Sequence, residues 1–235
     1  MIHPVYIALG SNLGDRLDNL RTAVRDLFPR APVCRVSNIY QTPPWGYLDQ
    51  PYFLNMVVEA QTSLTPRELL DYLRTLESQM GREKTIVNGP RTIDMDILFY
   101  GNQIYNDEEL TIPHPRMRGR GFVMLPLADL TTTYIHPVFR LRIAGMLKEC
   151  DILEIQPFSS AADFEVSLSD ERMLMPVEAT LALKGNEQAA RIFHSLPPSH
   201  QQEHLRYIAE ARKAETRHRR ASRMLETLLR DGQTQ

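Results

Sequence analysis

The nine residues TIDMDILFY, 92–100, decide the fold. They form a short apolar run interrupted only by carboxylates, with Asp94 and Asp96 interleaved between Ile93, Met95 and Ile97. Such a run, rich in β-branched and aromatic residues, predicts a buried strand. Successive strand side chains alternate faces, so Asp94 and Asp96 share one face, about 7 Å apart along the chain. On a helix the two would diverge.

Working upstream, Val5 to Leu9 is another apolar run, closed by Gly10-Ser11-Asn12, and predicts a strand entering a tight loop with Gly10 as the turn glycine. Asp15 can cap a following helix, in which Leu17, Leu20, Ala23, Val24 and Leu27 fall at 3- and 4-residue spacings before Pro29. Residues 33–41 predict a second strand. The stretch TPPWGYLDQP, 42–51, carries three prolines and must be a loop. Residues 52–62 predict a third strand. Thr65-Pro66-Arg67-Glu68 is a helix start, with a hydroxyl at the cap and proline at the first helical position, and the helix runs to Gly81. The order strand, helix, strand, strand, helix, strand is that of an α+β, ferredoxin-like βαββαβ sandwich, an antiparallel sheet with helices on one face.

Downstream, residues 103–112 predict an added hairpin, and 121–130 and 140–149 short helices. Past Pro157 the texture changes. We expect a first domain over 1–158, a linker over 159–176 and a small all-α domain over 177–235, with helices at 178–195, 199–213 and 215–230 broken by Gly185, Pro197 and Pro198.

A chain of 235 residues with a hydrophobic fraction of 43% has room for one to two packed domains. Its net charge of −2 argues against nucleic acid or a membrane surface as a partner of the whole molecule. Cys34 and Cys150 stand far apart and suggest neither a disulfide framework nor a thiolate metal cluster. With no export signal and no apolar run long enough to span a bilayer, the expected location is cytoplasmic.

Two like charges close together in apolar company repel unless a cation lies between them. Oxygen ligands on a short strand suit Mg²⁺, which takes one or two carboxylates and completes its shell with water and phosphates. Taken alone, the pair is equally a solvated strand face. Arg82, Lys84 and Arg91 lie just upstream on a glycine-containing loop, and basic groups beside a metal-binding strand suit phosphoryl transfer. His114, Arg116, Arg118 and Arg120 add donors. Trp45, Phe53 and Asn55 flank the proline-rich loop and would suit a flat heterocycle by stacking and paired hydrogen bonds. The segment GSNLGD lacks the lysine of a phosphate loop and the spacing of a dinucleotide fingerprint.

The segments YIALGSNLGDR, Y-Q-T-P-P-W-G with D-Q-P-x-F-x-N, E-x-x-M-G-R, G-P-R-T-I-D-M-D-I-L, and I-P-H-P-R-M with R-G-F occur in order over residues 1–158. In them the chain resembles the 6-hydroxymethyl-7,8-dihydropterin pyrophosphokinases of folate biosynthesis, which pass the β,γ-pyrophosphoryl group of ATP to a pterin hydroxymethyl oxygen and release AMP. The resemblance implies Asp94 and Asp96 as ligands of two Mg²⁺ ions, with Asp94 nearest the pterin hydroxyl. It implies catalytic roles for Arg82 and Arg91, and nucleotide contacts by Glu77, Lys84, Arg91, Ile97, His114 and Arg120. The pterin would meet Thr42, Pro43, Pro44, Trp45 and Asn55, between the rings of Phe53 and Phe122. Three positions depart from some members of that family: Phe53 stands for a tyrosine, Trp45 for a smaller apolar residue and Asn88 for a tryptophan.

The tail resembles the C-terminal helical region of the bacteriocin-protection YdeI/OmpD-associated family, with an apolar stripe through Leu205, Ile208, Met224, Leu225, Leu228 and Leu229. Its basic run at Arg212, Lys213, Arg217, Arg219, Arg220 and Arg223 reads as a solvated face. No catalytic residue is expected there. A competing possibility is a ferredoxin-like module that senses a nucleotide or pterin without turnover and signals through the tail.

Overall fold

The computed structural model describes residues 2–28, 30–82, 88–164, 175–211 and 214–231. Pro29, Lys84, most of the expected linker, Arg212 and Lys213 lie outside them. The first unit is built from β1 (His3–Ser11), α1 (Arg16–Leu27), β2 (Val33–Val36), β3 (Ile39–Thr42), β4 (Phe53–Thr62), α2 (Pro66–Gln79) and β5 (Asp94–Tyr100). A two-stranded ribbon, β6 (Tyr105–Asn106) and β7 (Thr111–Ile112), forms the expected hairpin, and α3 (Gly121–Leu130), α4 (Ile143–Leu147) and β8 (Gln156–Ser159) follow. All pairings are antiparallel, in the order β5-β1-β4-β3-β8, with β2 beside β3 on the same partner β4. This is the expected ferredoxin-like sheet with one strand added at its edge.

The helices α1 and α2 begin where side chains cap them. The Asp15 carboxylate accepts the Asp18 amide at 3.0 Å. Thr65 and Glu68 form a reciprocal capping box at the start of α2. On one sheet face Val5, Ile7 and Leu9 of β1 and Leu54, Met56 and Val58 of β4 pack beneath α1 and α2 together with Met95 and Ile97 of β5. The opposite face is covered as well: Tyr6, Val57, Leu98 and Phe99 lie under α3 and α4. The expectation of helices on one face therefore holds for α1 and α2 only. Both faces are apolar, so each needs a cover.

Two irregularities escaped the sequence. Residues 33–41 make two strands, because Ser37 breaks the ladder. Its amide donates to the Val57 carbonyl at 2.9 Å while its hydroxyl accepts from the Val57 amide at 2.9 Å. In β5 a bulge shifts the register, with Tyr6 opposite Phe99 and Ile7 opposite Ile97, so Leu98 is the extra residue. Asp94 and Asp96 thus share the α3 face, while Met95 and Ile97 enter the core beneath α2.

The described residues of the tail form four helices rather than three: α5 (Val177–Lys184), α6 (Glu187–Ser195), α7 (Pro198–Ala209) and α8 (Ala214–Asp231). Gly185 ends α5, and Asn186 caps α6 by accepting the Ala189 amide at 3.0 Å. Leu183, Phe193, Leu205, Ile208, Met224 and Leu228 form their core, which also takes in Phe28 and Cys34 of the first unit. The Met175 amide donates to the Val33 carbonyl at 2.8 Å, and the Thr180 hydroxyl to the Cys34 sulfur at 3.4 Å. Residues 159–164, expected in the linker, stay with the first unit: Ser159 lies opposite Ile39, and Phe164 is buried in the main core. Part of the basic run serves the tail's own packing, since Arg217 pairs with Glu178 at 2.7 Å and Arg220 lies over the Tyr207 ring at 4.4 Å. Among the described residues no helix is long and apolar enough to cross a membrane.

Candidate active site

Asp94 lies opposite Gly10, and Asp96 opposite Ala8, where β5 meets the end of β1. Each oxygen of Asp94 takes one guanidinium: Oδ1 is 2.7 Å from Arg82, which follows α2, and Oδ2 is 2.9 Å from Arg91, which precedes β5. Arg82 also pairs with Glu77, whose Oε1 accepts the Met95 amide at 2.7 Å. Burial pushes the Glu77 carboxyl up to about 7 against the opposing pull of Arg82. Glu77, expected among nucleotide contacts, is therefore a buried brace between α2, Arg82 and β5.

Among the described residues Asp96 has no comparable partner. Its pKa is raised to about 6, first by desolvation and then by the Asp94 charge. The side chain is still 44% exposed, because its open side is the cleft itself. His114 Nε2 stands 3.9 Å from Asp96 Oδ2, yet burial, then Arg120 and Arg116, lower the imidazole to about 4. At neutral pH this contact joins a neutral ring to a carboxylate and is not an ion pair.

An open cleft lies above the carboxylates. Its lining brings together Thr42, Pro43, Trp45, Phe53, Asn55, Arg91, Asp94, Asp96, Arg120 and Phe122 from the expected set. Pro44 is not part of it. Ile97, also expected at the nucleotide, is 3% exposed and packs into the core, because strand alternation turns it away from Asp96. The Asn55 amide donates to the Thr42 hydroxyl at 2.7 Å. Arg120 places its guanidinium 4.9 Å from the Trp45 ring and 5.6 Å from the Phe122 ring. Arg91 stands 6.0 Å from the Phe53 ring.

Three residues here were not anticipated. Gly10 lies within β1 and is no turn glycine: a Cβ on it would stand 2.8 Å from Asn55 Oδ1. Asn12 is 1% exposed and ties three loops together. It donates to Gln50 Oε1 at 2.9 Å and to the Pro51 carbonyl at 3.1 Å, and accepts the Arg91 amide at 2.7 Å. Gln50 in turn donates to the carbonyls of Tyr47 at 2.6 Å and Asn88 at 2.8 Å. The proline-rich loop is thus pinned to the segment that carries Arg91. The only sequence signal was a pair of amides in loops whose backbone needs partners.

Among the described residues no three His, Cys, Asp or Glu side chains gather to hold a metal. Asp94 and Asp96 form a two-carboxylate set with a surplus of negative charge at Asp96, which fits Mg²⁺ sharing its shell with water and phosphate oxygens. The encircling Arg82, Arg91, Arg116 and Arg120 suit a polyanion.

The family model for 7,8-dihydro-6-hydroxymethylpterin-pyrophosphokinase matches residues 6–132, and the model described as bacteriocin-protection, YdeI or OmpD-associated matches residues 173–231. The chain is 50% identical over 127 residues to the 2-amino-4-hydroxy-6-hydroxymethyldihydropteridine pyrophosphokinase of Bacillus subtilis, covering 53% of this chain and 76% of that one. It is 44% identical over 158 residues to the folic acid synthesis protein fol1 of Pneumocystis carinii, covering 66% of this chain and only 21% of that longer protein. The crystal structure of Plasmodium falciparum HPPK-DHPS with pterin and p-hydroxybenzoate shares the fold, with a TM-score of 0.52 at 17% identity over 63% of this chain and 42% of that one. A family model that spans more than half the sequence, over the strands and loops that assemble this cleft, places the chain in the 7,8-dihydro-6-hydroxymethylpterin-pyrophosphokinase family.

Proposed function

We propose that the protein transfers pyrophosphate from ATP to the hydroxymethyl group of 6-hydroxymethyl-7,8-dihydropterin, releasing AMP, as a step of folate biosynthesis. The observation that carries this reading is the pair Asp94 and Asp96 at the base of an aromatic cleft, with a guanidinium on each oxygen of Asp94. In the transfer the pterin hydroxymethyl oxygen forms a bond to the β-phosphorus, the bond from that phosphorus to the oxygen bridging the α-phosphate breaks, and the hydroxyl proton is lost.

The pterin ring would sit between Phe53 and Phe122, with Thr42 and Asn55 reading its polar edge. Pro43 and Trp45 would wall the slot, and Arg120 would leave its place between Trp45 and Phe122 to meet phosphate. Arg82 and Arg91 would neutralise charge on the migrating group. Bound to Asp94 and Asp96, two Mg²⁺ ions would supply charge neutralisation at the triphosphate and a lowered pKa for the hydroxyl. His114 and Lys84 complete the nucleotide side in this reading, and Glu77 acts through Arg82. Exclusion of water is needed because activated ATP would otherwise be hydrolysed. A cytoplasmic setting, rich in ATP and Mg²⁺, accords with it, as does a division into a pyrophosphokinase unit and a helical tail.

The test is direct. Purified full-length protein with Mg²⁺, ATP and 6-hydroxymethyl-7,8-dihydropterin is expected to yield AMP and the pyrophosphorylated pterin in equal amounts. Absence of AMP, with both ligands bound by calorimetry, would leave only a sensing role.

A further inference from the structure

A second cleft, of about 260 Å³, opens between the sheet and the tail. Asn55, Val57, Glu59 and Gln61 alternate onto the same face of β4, and the cleft lies at the Gln61 end, about 20 Å along the strand from Asn55. Val57, buried under α3, stands between this cleft and the carboxylates. Pro4, Glu59 and Gln61 of the sheet face Leu181 and Lys184 of α5 and Glu187 and Arg191 of α6 across it.

Three features of its lining are chemically incomplete. Arg35 is taken by Glu59 at 3.2 Å, but Lys184 and Arg191 form no ion pair among the described residues. Gln61 is 6% exposed, and among the described residues its Oε1 accepts no hydrogen bond. A buried acceptor without a donor is costly, and a turn of the Gln61 side chain toward the cleft would let an outside donor relieve it. Leu181, 56% exposed on α5, and Ile2 and Pro4 opposite add apolar surface to the same space.

We propose that this cleft binds a small amphipathic anion: a carboxylate or sulfonate seated on Lys184 and Arg191, an N–H group donating to Gln61 Oε1, and an apolar ring body against Leu181, Ile2 and Pro4. Charge, donor and apolar surface define the ligand class together, since charged donors hold an anion best where water is partly excluded. Such a ligand touches both units at once, so its binding is linked to their docking.

The probe is 8-anilinonaphthalene-1-sulfonate, which carries all three features. Full-length protein is first given 6-hydroxymethyl-7,8-dihydropterin, Mg²⁺ and a non-hydrolysable ATP analogue to fill the catalytic cleft, then titrated with the dye. One saturable site is expected to remain. The double variant Lys184→Glu, Arg191→Glu should weaken it at least about tenfold, the scale set by losing charge-assisted contacts. Gln61→Leu should weaken binding while leaving the melting temperature unlowered, because an unpaired buried acceptor is removed. The proposal is overturned if no saturable site remains, if charge reversal leaves affinity unchanged, or if Gln61→Leu lowers the melting temperature, which would assign Oε1 to a structural water. AMP formation by the charge-reversal variant, expected at the wild-type rate, keeps this outcome separate from that of the catalytic assay.

Discussion

Gly10 faces Asn55 on one neighbouring strand and Asp94 on the other, and the side chain it lacks is what lets the Asn55 amide stand beside the carboxylates. Gly10→Ala should push that amide out of place, since a Cβ would stand 2.8 Å from its oxygen. We expect the Michaelis constant for the pterin to rise about tenfold, the value of one well-placed hydrogen bond, with a smaller change in turnover. Initial-rate kinetics at saturating ATP would check it. Asp96→Ala should lower turnover by about a thousandfold or more, as expected for a group that organises transition-state charge. The fold should persist, because this carboxylate is destabilised by its surroundings; unchanged turnover would show that the ligand assignment is mistaken.

His194 on α6 gives the helical tail a pH dependence of its own. Burial lowers its imidazole to about 4, its ring meets Phe193 edge-on and its Nε2 has no partner among the described residues. The unfolded chain takes up a proton near 6.5 while the folded one resists until about 4, so stability should be lost as pH falls through that window. The loss has a ceiling of about 3 kcal/mol. His194→Gln should flatten the decline of melting temperature between pH 6.5 and pH 4; an unaltered slope would place the acid sensitivity elsewhere. At this scale the sequence was informative where patterns are local. The alternation around Asp94 and Asp96, the Thr65 cap and the hairpin at 103–112 follow from neighbours in the chain. What stayed hidden depends on distant partners: the Ser37 break answers to Val57 and the Leu98 bulge to β1, whereas the inward turn of Ile97 follows from the same alternation that exposes Asp96. The ring of loops through Asn12 and Gln50 was unreadable for the same reason, since an asparagine in a loop does not announce which carbonyl it will reach.

For the molecule as a whole, the tail packs onto the first unit and does not stand apart from it, because Phe28 and Cys34 lie in the tail's own core. A chain ended after Phe164 should keep Michaelis constants near those of the full protein, as no described residue of the tail lines the catalytic cleft, but melt at a lower temperature. Ending it after Ser160 should cost further stability, since Phe164 is 1% exposed in the main core and a buried phenylalanine is worth about 3–5 kcal/mol. Equal melting temperatures for the two truncated forms would refute that account.

The strand β8 carries a consequence for synthesis. It completes the edge beside β3, with Tyr40 opposite Pro157. A nascent chain leaving the ribosome can therefore assemble β1, β3, β4 and β5 with both helices while the outer edge of β3 remains open. That edge stays available to other chains until Ser159 has emerged, so the vulnerable interval is set by the rate of translation through α3 and α4.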